Sequence, residues 1–486
     1  MINPLLLPEL LAEVARYVDS LDWVSCSQVC WTWHTHFNPL VWKTCVINSA
    51  TKTPPIHALT TYAHHIRKLD YLGLLFDYFP RYLNLEILDI STHSHTSADY
   101  QAWMGTMALI RETPSLSAVR LSGWQSIPAV GIWDAIRENR QVTRLALSHI
   151  NISFTTVAPF LQACTTLEEL ELNGCIIWNP WRSHVGSLWI PKSLPRLQHI
   201  RWESLINIRG EDQVRLMALC PEIRSIYWRG GVSGQFPMNV FLEHLTAGAF
   251  PNLESLDVLG RGIHDSTIEA VVKRMKPMKT LNFVQTEFGR ASLDALQLHY
   301  QTLQELNLTQ CHQVKSADIM KLLRSCPLLT MFKAETLTSS NVDENERWAC
   351  AERLRELVLY FELDGHDPRS ESQRVFECLS NLTALRRLNI SKYNTQMSRQ
   401  QTSSSVPLQL RLDHGMGQLS TLKHLEAIYF NMTDQTMTMN EGMWMKRNWR
   451  CLSLVRGRFS LSPHVNMQLE QLFMGRSETF AGRCGS

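Results

Sequence analysis

An apolar triplet of the form φ-x-x-φ-x-φ returns fourteen times along the 486 residues. From Leu253 its anchors fall at Met278, Leu303, Leu329 and Leu354, in steps of 25, 25, 26 and 25. Earlier anchors are Ile66, Leu85, Leu116, Val142, Leu167, Leu197 and Ile223; later ones are Leu385 and Leu422. A fixed period in the twenties is the signature of a solenoid, whose units bury their apolar faces only against neighbours. Such a chain escapes the splitting into separate compact domains that its length would otherwise impose. It offers a long surface, which suits binding better than chemistry.

One repeat shows how the unit is built. In Leu303-Gln304-Glu305-Leu306-Asn307-Leu308-Thr309-Gln310-Cys311, Leu306 and Leu308 alternate with polar residues, which predicts a strand with one buried face. Ser316-Ala317-Asp318 then reads as a helix start. Ile319, Leu322, Leu323 and Cys326 follow at i, i+3, i+4 and i+7, one face of a helix that Pro327 ends. Leu167, Leu170, Leu172 and Cys175 repeat the strand half, and Ile268, Val271, Val272 and Met275 the helical half.

The L-x-x-L-x-L-x-x-C form resembles the cysteine-containing class of leucine-rich repeats over residues 56–470. That resemblance implies an α/β horseshoe, with a parallel sheet on the concave face and helices outside. We assign the solenoid to residues 51–473, with a polar loop at about 394–407 and a flexible tail at 474–486. Longer steps imply longer connections at Trp178-Asn179-Pro180-Trp181 and Arg229-Gly230-Gly231-Val232-Ser233-Gly234, and Glu371 and Ser372 read as part of a polar insertion near Asp367-Pro368.

Bulk properties narrow the function. Forty-seven basic against 45 acidic residues give a net charge of +2, so no global field favours nucleic acid or an anionic membrane. The Leu5-Leu6-Leu7 run stops at Pro8-Glu9 and does not read as a secretory signal. No apolar run reaches the roughly 18 residues of a spanning helix. A cytoplasmic or nuclear protein with reduced cysteines is expected. His34-Thr35-His36, His64-His65 and His93-Ser94-His95 lack partners at metal-site spacing, and no C-x-x-C, P-loop, dinucleotide fingerprint or G-x-S-x-G elbow is present. We expect no metal, no cofactor and no enzymatic activity.

Residues 1–50 lack the repeat and predict three short helices. Leu10, Leu11, Val14 and Val18 form one face of the first, opened by Pro8. The elements Leu7-Pro8-Glu9-Leu10, Val29-Cys30-Trp31-Thr32-Trp33 and Pro39-Leu40-Val41-Trp42 resemble an F-box. Pro8 is followed directly by Glu9-Leu10 where that family usually has an extra residue, and Trp23 stands where an aliphatic is commoner. The resemblance implies docking to a Skp-type adaptor of a cullin-RING ubiquitin ligase. It assigns that contact to Leu5, Leu6, Leu7, Pro8, Leu10, Leu11, Val14, Val29, Trp33, Pro39 and Trp42. So small a segment cannot bury all its apolar side chains, which leaves some for a partner.

Strand residues beside the buried ones point to the opposite face of the repeat sheet. Among them Arg120, Arg144, Glu169, Glu171, Arg201, Tyr227, Arg229 and Asp257 are the candidate substrate-binding residues. The expected function is a substrate receptor of an SCF-type ubiquitin ligase with an unidentified protein target. The alternative is an adaptor-independent scaffold or inhibitor that uses the repeats alone.

Overall fold

The computed structural model describes residues 7–48, 54–72, 82–91, 99–123, 131–181, 190–230, 234–343, 347–392 and 406–474. Leu5, Leu6, most of the expected polar loop and the tail beyond Met474 lie outside these residues. The described residues fall into two compact units, one up to residue 252 and one from residue 253 onward.

The first unit opens with three helices, α1 (Pro8–Tyr17), α2 (Trp23–Ser27) and α3 (Trp31–Trp42). Pro8 sits in the first turn of α1, where a missing N–H costs nothing, and Glu9 beside it complements the positive helix end. Asp19 Oδ1 accepts the Leu21 N–H at 3.1 Å and tightens the turn into α2. His34 Nδ1 lies 3.2 Å from the Ser27 carbonyl and ties α3 to α2. Pro39 falls within the last turns of α3, at the cost of one backbone bond.

Ten strands follow: β1 (Thr44–Asn48), β2 (Lys68–Leu72), β3 (Ile87–Ser91), β4 (Ala118–Ser122), β5 (Arg144–Ser148), β6 (Asn151–Ile152), β7 (Glu169–Asn173), β8 (Ile176–Ile177), β9 (His199–Glu203) and β10 (Ser225–Arg229). Eight of them form one parallel ladder in the order β1-β2-β3-β4-β5-β7-β9-β10, while β6 and β8 pair separately. The register runs straight through Leu69, Leu88, Val119, Leu145, Leu170, Ile200 and Ile226. All seven are buried. Behind them lie α4 (Ile56–Tyr62), α5 (Asp99–Glu112), α6 (Gly131–Glu138), α7 (Phe154–Ala163), α8 (Gly210–Ala218) and α9 (Met238–Thr246). Ile132, Trp133 and Ile136 of α6 show the buried i, i+1, i+4 stripe this packing needs. The ladder starts earlier than the repeat pattern, because Thr44–Asn48 is its first rung.

The second unit repeats the scheme. Its strands are β11 (Ser255–Leu259), β12 (Thr280–Val284), β13 (Glu305–Asn307), β14 (Met331–Thr338), β15 (Glu356–Leu363), β16 (Arg387–Asn389), β17 (Val406–Pro407), β18 (Ala427–Tyr429) and β19 (Leu454–Arg456). They pair in parallel in chain order, except that β17 lies antiparallel to β15 and β18 follows β16. The helices are α10 (Asp265–Arg274), α11 (Arg290–Leu296), α12 (Ser316–Ser325), α13 (Pro368–Ser380), α14 (Met439–Asn448) and α15 (Pro463–Met474). Both units are therefore α/β repeats of the leucine-rich type.

The cysteine of the repeat has a physical role. The residue after each of several strands is left-handed: Gly123 at φ 80°, His149 at 55°, Gly174 at 60°, Ser204 at 52° and Gln285 at 60°. The first four donate their N–H to the last rung of the next strand, as from His149 to Asn173 at 2.8 Å and from Gly174 to Glu203 at 2.9 Å, while Gln285 donates to the Thr309 carbonyl just past β13. The chain then turns inward, and the cysteine thiol reaches the preceding repeat. Cys175 Sγ donates to the Leu147 carbonyl at 3.4 Å and Cys311 Sγ to that of Phe283 at 2.8 Å. Burial pushes both thiols up to about 11, which keeps them protonated donors at neutral pH.

Successive repeats are also latched by carboxylates. Asp265, at the start of α10, accepts the N–H groups of Gly289, Ala291 and Ser292 and the Ser292 hydroxyl, and so caps α11 of the next repeat. Burial pushes its carboxyl up, but these hydrogen bonds together outweigh burial and hold it below the usual range. The latch is thus complete above the unfolded value near 3.9 and is lost as pH falls through the lower folded value. Asp265→Ala is expected to destabilise the protein by about 1 kcal/mol at pH 7. Thermal melts should show that gap closing below pH 4.

Two expectations need correction here. Glu371 and Ser372 belong to no polar insertion: both are buried in α13. The Glu371 carboxylate accepts from Ser339 Oγ at 2.5 Å and the Gly365 N–H at 3.1 Å, so its burial is satisfied. The last anchor, Leu422, is displaced by three residues, since Ile428 is the partner of Leu388 and the working triplet is Leu425, Ile428 and Phe430.

Candidate protein-binding surfaces

The N-terminal helices are short of core. Within residues 7–43 only Leu11 and Phe37 are fully buried, at 1% and 0% exposure. Trp33 stacks on Phe37 with ring centroids 5.3 Å apart, and Trp42 stacks on Tyr62 of α4 at 4.7 Å, which fastens the helices to the first repeat. Everything else apolar reaches the surface. Leu7 is exposed just before α1, Pro8 and Leu10 are exposed on it, Val29 is exposed before α3, and Val14, Trp33, Pro39 and Trp42 are half-buried. Leu11 is the exception among the expected adaptor contacts. It faces inward and belongs to the small core, so it supports the surface without forming it.

Four exposed apolar residues escaped the sequence reading: Tyr17, Leu21, Val24 and Trp31. Leu21 is 85% exposed and Trp31 81%. Leu21 lies in the short turn before α2, and Trp31 is the first residue of α3, stacked on His34 at 5.9 Å. An amphipathic pattern assigns apolar residues to the inside, and nothing local marks these as outside. Their number was the only signal, because so few residues cannot enclose them all.

The repeat sheet of the first unit presents a second surface, on the side away from the helices. Its central row reads Asp70, Asp89, Arg120, Ala146, Glu171, Arg201 and Tyr227, each in register with the next. Beside it run Lys68, Ile87, Ala118, Arg144, Glu169, His199 and Ser225. Arg120 lies 3.9 Å from Asp89, and Arg201 lies 3.2 Å from Glu171. Both Arg201 and Arg229 stack on Tyr227, with guanidinium carbons 3.9 and 4.4 Å from the ring centroid. Burial pushes the Asp89 carboxyl up, as does Asp70, against Lys68 and Arg120. Seven of the eight expected substrate residues thus share one sheet face. Asp257 lies in the second unit, where it is half-buried in a row with Asn282, Asn307 and Lys333.

No group of three or more His, Cys, Asp or Glu side chains that could hold a metal ion occurs among the described residues. Nor is any helix among them long and apolar enough to cross a membrane.

Comparison with known proteins agrees with this geometry at the N-terminus. Residues 8–48 match the family model described as F-box-like. No curated protein sequence matches the chain. Among solved structures, one chain of a TLR13–ssRNA13 complex is similar over 85% of this chain, at 16% identity and a TM-score of 0.43. This chain spans 62% of that one. A structure of the Rad7 and Elc1 complex in yeast is similar over 70% of this chain and 77% of the other, at 13% identity and a TM-score of 0.42. The chain is built as an F-box-like domain followed by leucine-rich repeats.

Proposed function

We propose that this protein is the substrate-recognition subunit of an SCF-type ubiquitin ligase. Its F-box-like helices dock a Skp-type adaptor, and the open face of the repeat sheet holds a target protein. One observation carries the reading: within residues 7–43 of the F-box-like segment only Leu11 and Phe37 are fully buried, and Leu7, Leu10, Leu21, Val24, Val29 and Trp31 are exposed. Exposed apolar residues clustered in this way mark a surface that a partner covers. Catalysis would then be supplied by other subunits, and this chain would contribute proximity.

Trp31 offers the cleanest test, because a residue 81% exposed adds little to the fold. Trp31→Ala in the full chain is expected to weaken binding of a Skp-type adaptor by about tenfold, or roughly 1.4 kcal/mol, with an unchanged melting temperature. Titration calorimetry reads this directly. Adaptor affinity equal to that of the parent would remove Trp31 from the interface. Failure of the parent itself to bind would favour the adaptor-independent scaffold.

A further inference from the structure

The sign of charge on the first unit's open sheet face changes in bands. Strands β2 and β3 contribute Asp70 and Asp89, β4 and β5 contribute Arg120 and Arg144, β7 contributes Glu169 and Glu171, and β9 contributes Arg201. Only Lys68, 3.9 Å from Asp70, breaks the order within these two rows. The row on the far side is small and uncharged from Ser91 through Ser122, Ser148 and Asn173, until Glu203 and Arg229.

The bands are not fully spent on one another. Arg144 and Glu169 are in-register neighbours of opposite sign, yet the Arg144 guanidinium turns to Ser117 Oγ at 3.1 Å. Arg144 and Glu169 are both exposed, and the Arg201–Glu171 pair leaves each partner half accessible. Exposed pairs of this kind contribute little to stability, so they exchange readily for contacts with a ligand.

From the midpoint of β2 and β3 to β9 is four and a half strand spacings, about 22 Å at roughly 4.8 Å each. An extended peptide with charges at every second residue places four of them on one side over about 20 Å. A helix with charges at every fourth residue rotates by about 40° per step, so its fourth charge has left the face by about 120°. We propose that the target segment bound on this face is an extended stretch with basic, acidic, basic and acidic side chains at alternate positions, running across β2 to β9. This rests on the reading of the sheet face as the target-binding one.

Two synthetic peptides test it, Lys-Ser-Glu-Ser-Lys-Ser-Glu and the composition-matched Glu-Ser-Glu-Ser-Lys-Ser-Lys. Fluorescence anisotropy with the intact protein at low salt should show the alternating peptide binding at least tenfold more tightly. Glu171→Lys should remove that preference, and the milder Glu171→Gln should reduce it. Equal affinity for the two peptides, or a preference unmoved by both variants, overturns the charge order. Adaptor binding measured on the same preparation separates this from the ligase reading. Peptide selectivity without adaptor binding would sink the ligase role alone, and adaptor binding with equal peptide affinities would sink the charge order alone.

Discussion

Leu10→Asp is expected to lower affinity for a Skp-type adaptor by a hundredfold or more while the protein stays folded. Leu10 is 43% exposed on α1, beside Leu7 and Pro8, so a carboxylate there remains hydrated in the free protein. In a complex the same carboxylate would be buried against an apolar surface without a counter-charge. That penalty, several kcal/mol for an unpaired charge, exceeds the roughly 2.7 kcal/mol that a hundredfold loss requires. Leu11→Asp provides the contrast. Leu11 is one of only two fully buried residues within residues 7–43, so this change is expected to unfold the helices themselves. Circular dichroism separates the two variants, with native helix content for the first and lost content for the second. Equal adaptor affinity for Leu10→Asp and the parent would place the docking surface elsewhere.

The largest effect on the repeats is expected at Phe241. Its ring is fully buried and packs against Phe236 at 5.4 Å and Phe250 at 4.8 Å, with Trp228 meeting Phe236 at 5.3 Å. Phe241→Ala empties the middle of that aromatic cluster and is expected to cost about 3–5 kcal/mol. For a unit of this size the melting temperature should fall by roughly 6–20 °C. Because each repeat leans only on its neighbours, the loss should be local. Hydrogen exchange should accelerate in β9, β10, α8 and α9, with β2 and β3 retaining protection. A uniform increase across the first unit would show that its repeats unfold as one block.

The repeats were legible because their period fixes register. Leu306 and Leu170 were placed on the buried face by alternation alone, and the ladder pairs them as expected. Failures arose where the deciding partner is distant in sequence. Glu371 looks like a surface residue until Ser339, 32 positions earlier, supplies the hydroxyl that satisfies it. Leu422 fits the spacing as well as Leu425 does, and only pairing with β16 chooses between them. In the F-box-like segment the stripe of Leu10, Leu11 and Val14 is too wide for one interface. Packing of α1 against α3 buries Leu11 and leaves Leu10 outside. Trp31 stands in the motif without being placed on either face by it, and the fold leaves this large aromatic exposed.

The most direct test of the ligase reading is light scattering on a mixture of the intact 55.9 kDa chain and a Skp-type adaptor, resolved by size exclusion. The proposed function predicts a single species with the summed mass of one copy of each, lost with Leu10→Asp. Two species eluting at their separate masses, from a protein with native circular dichroism, would contradict it.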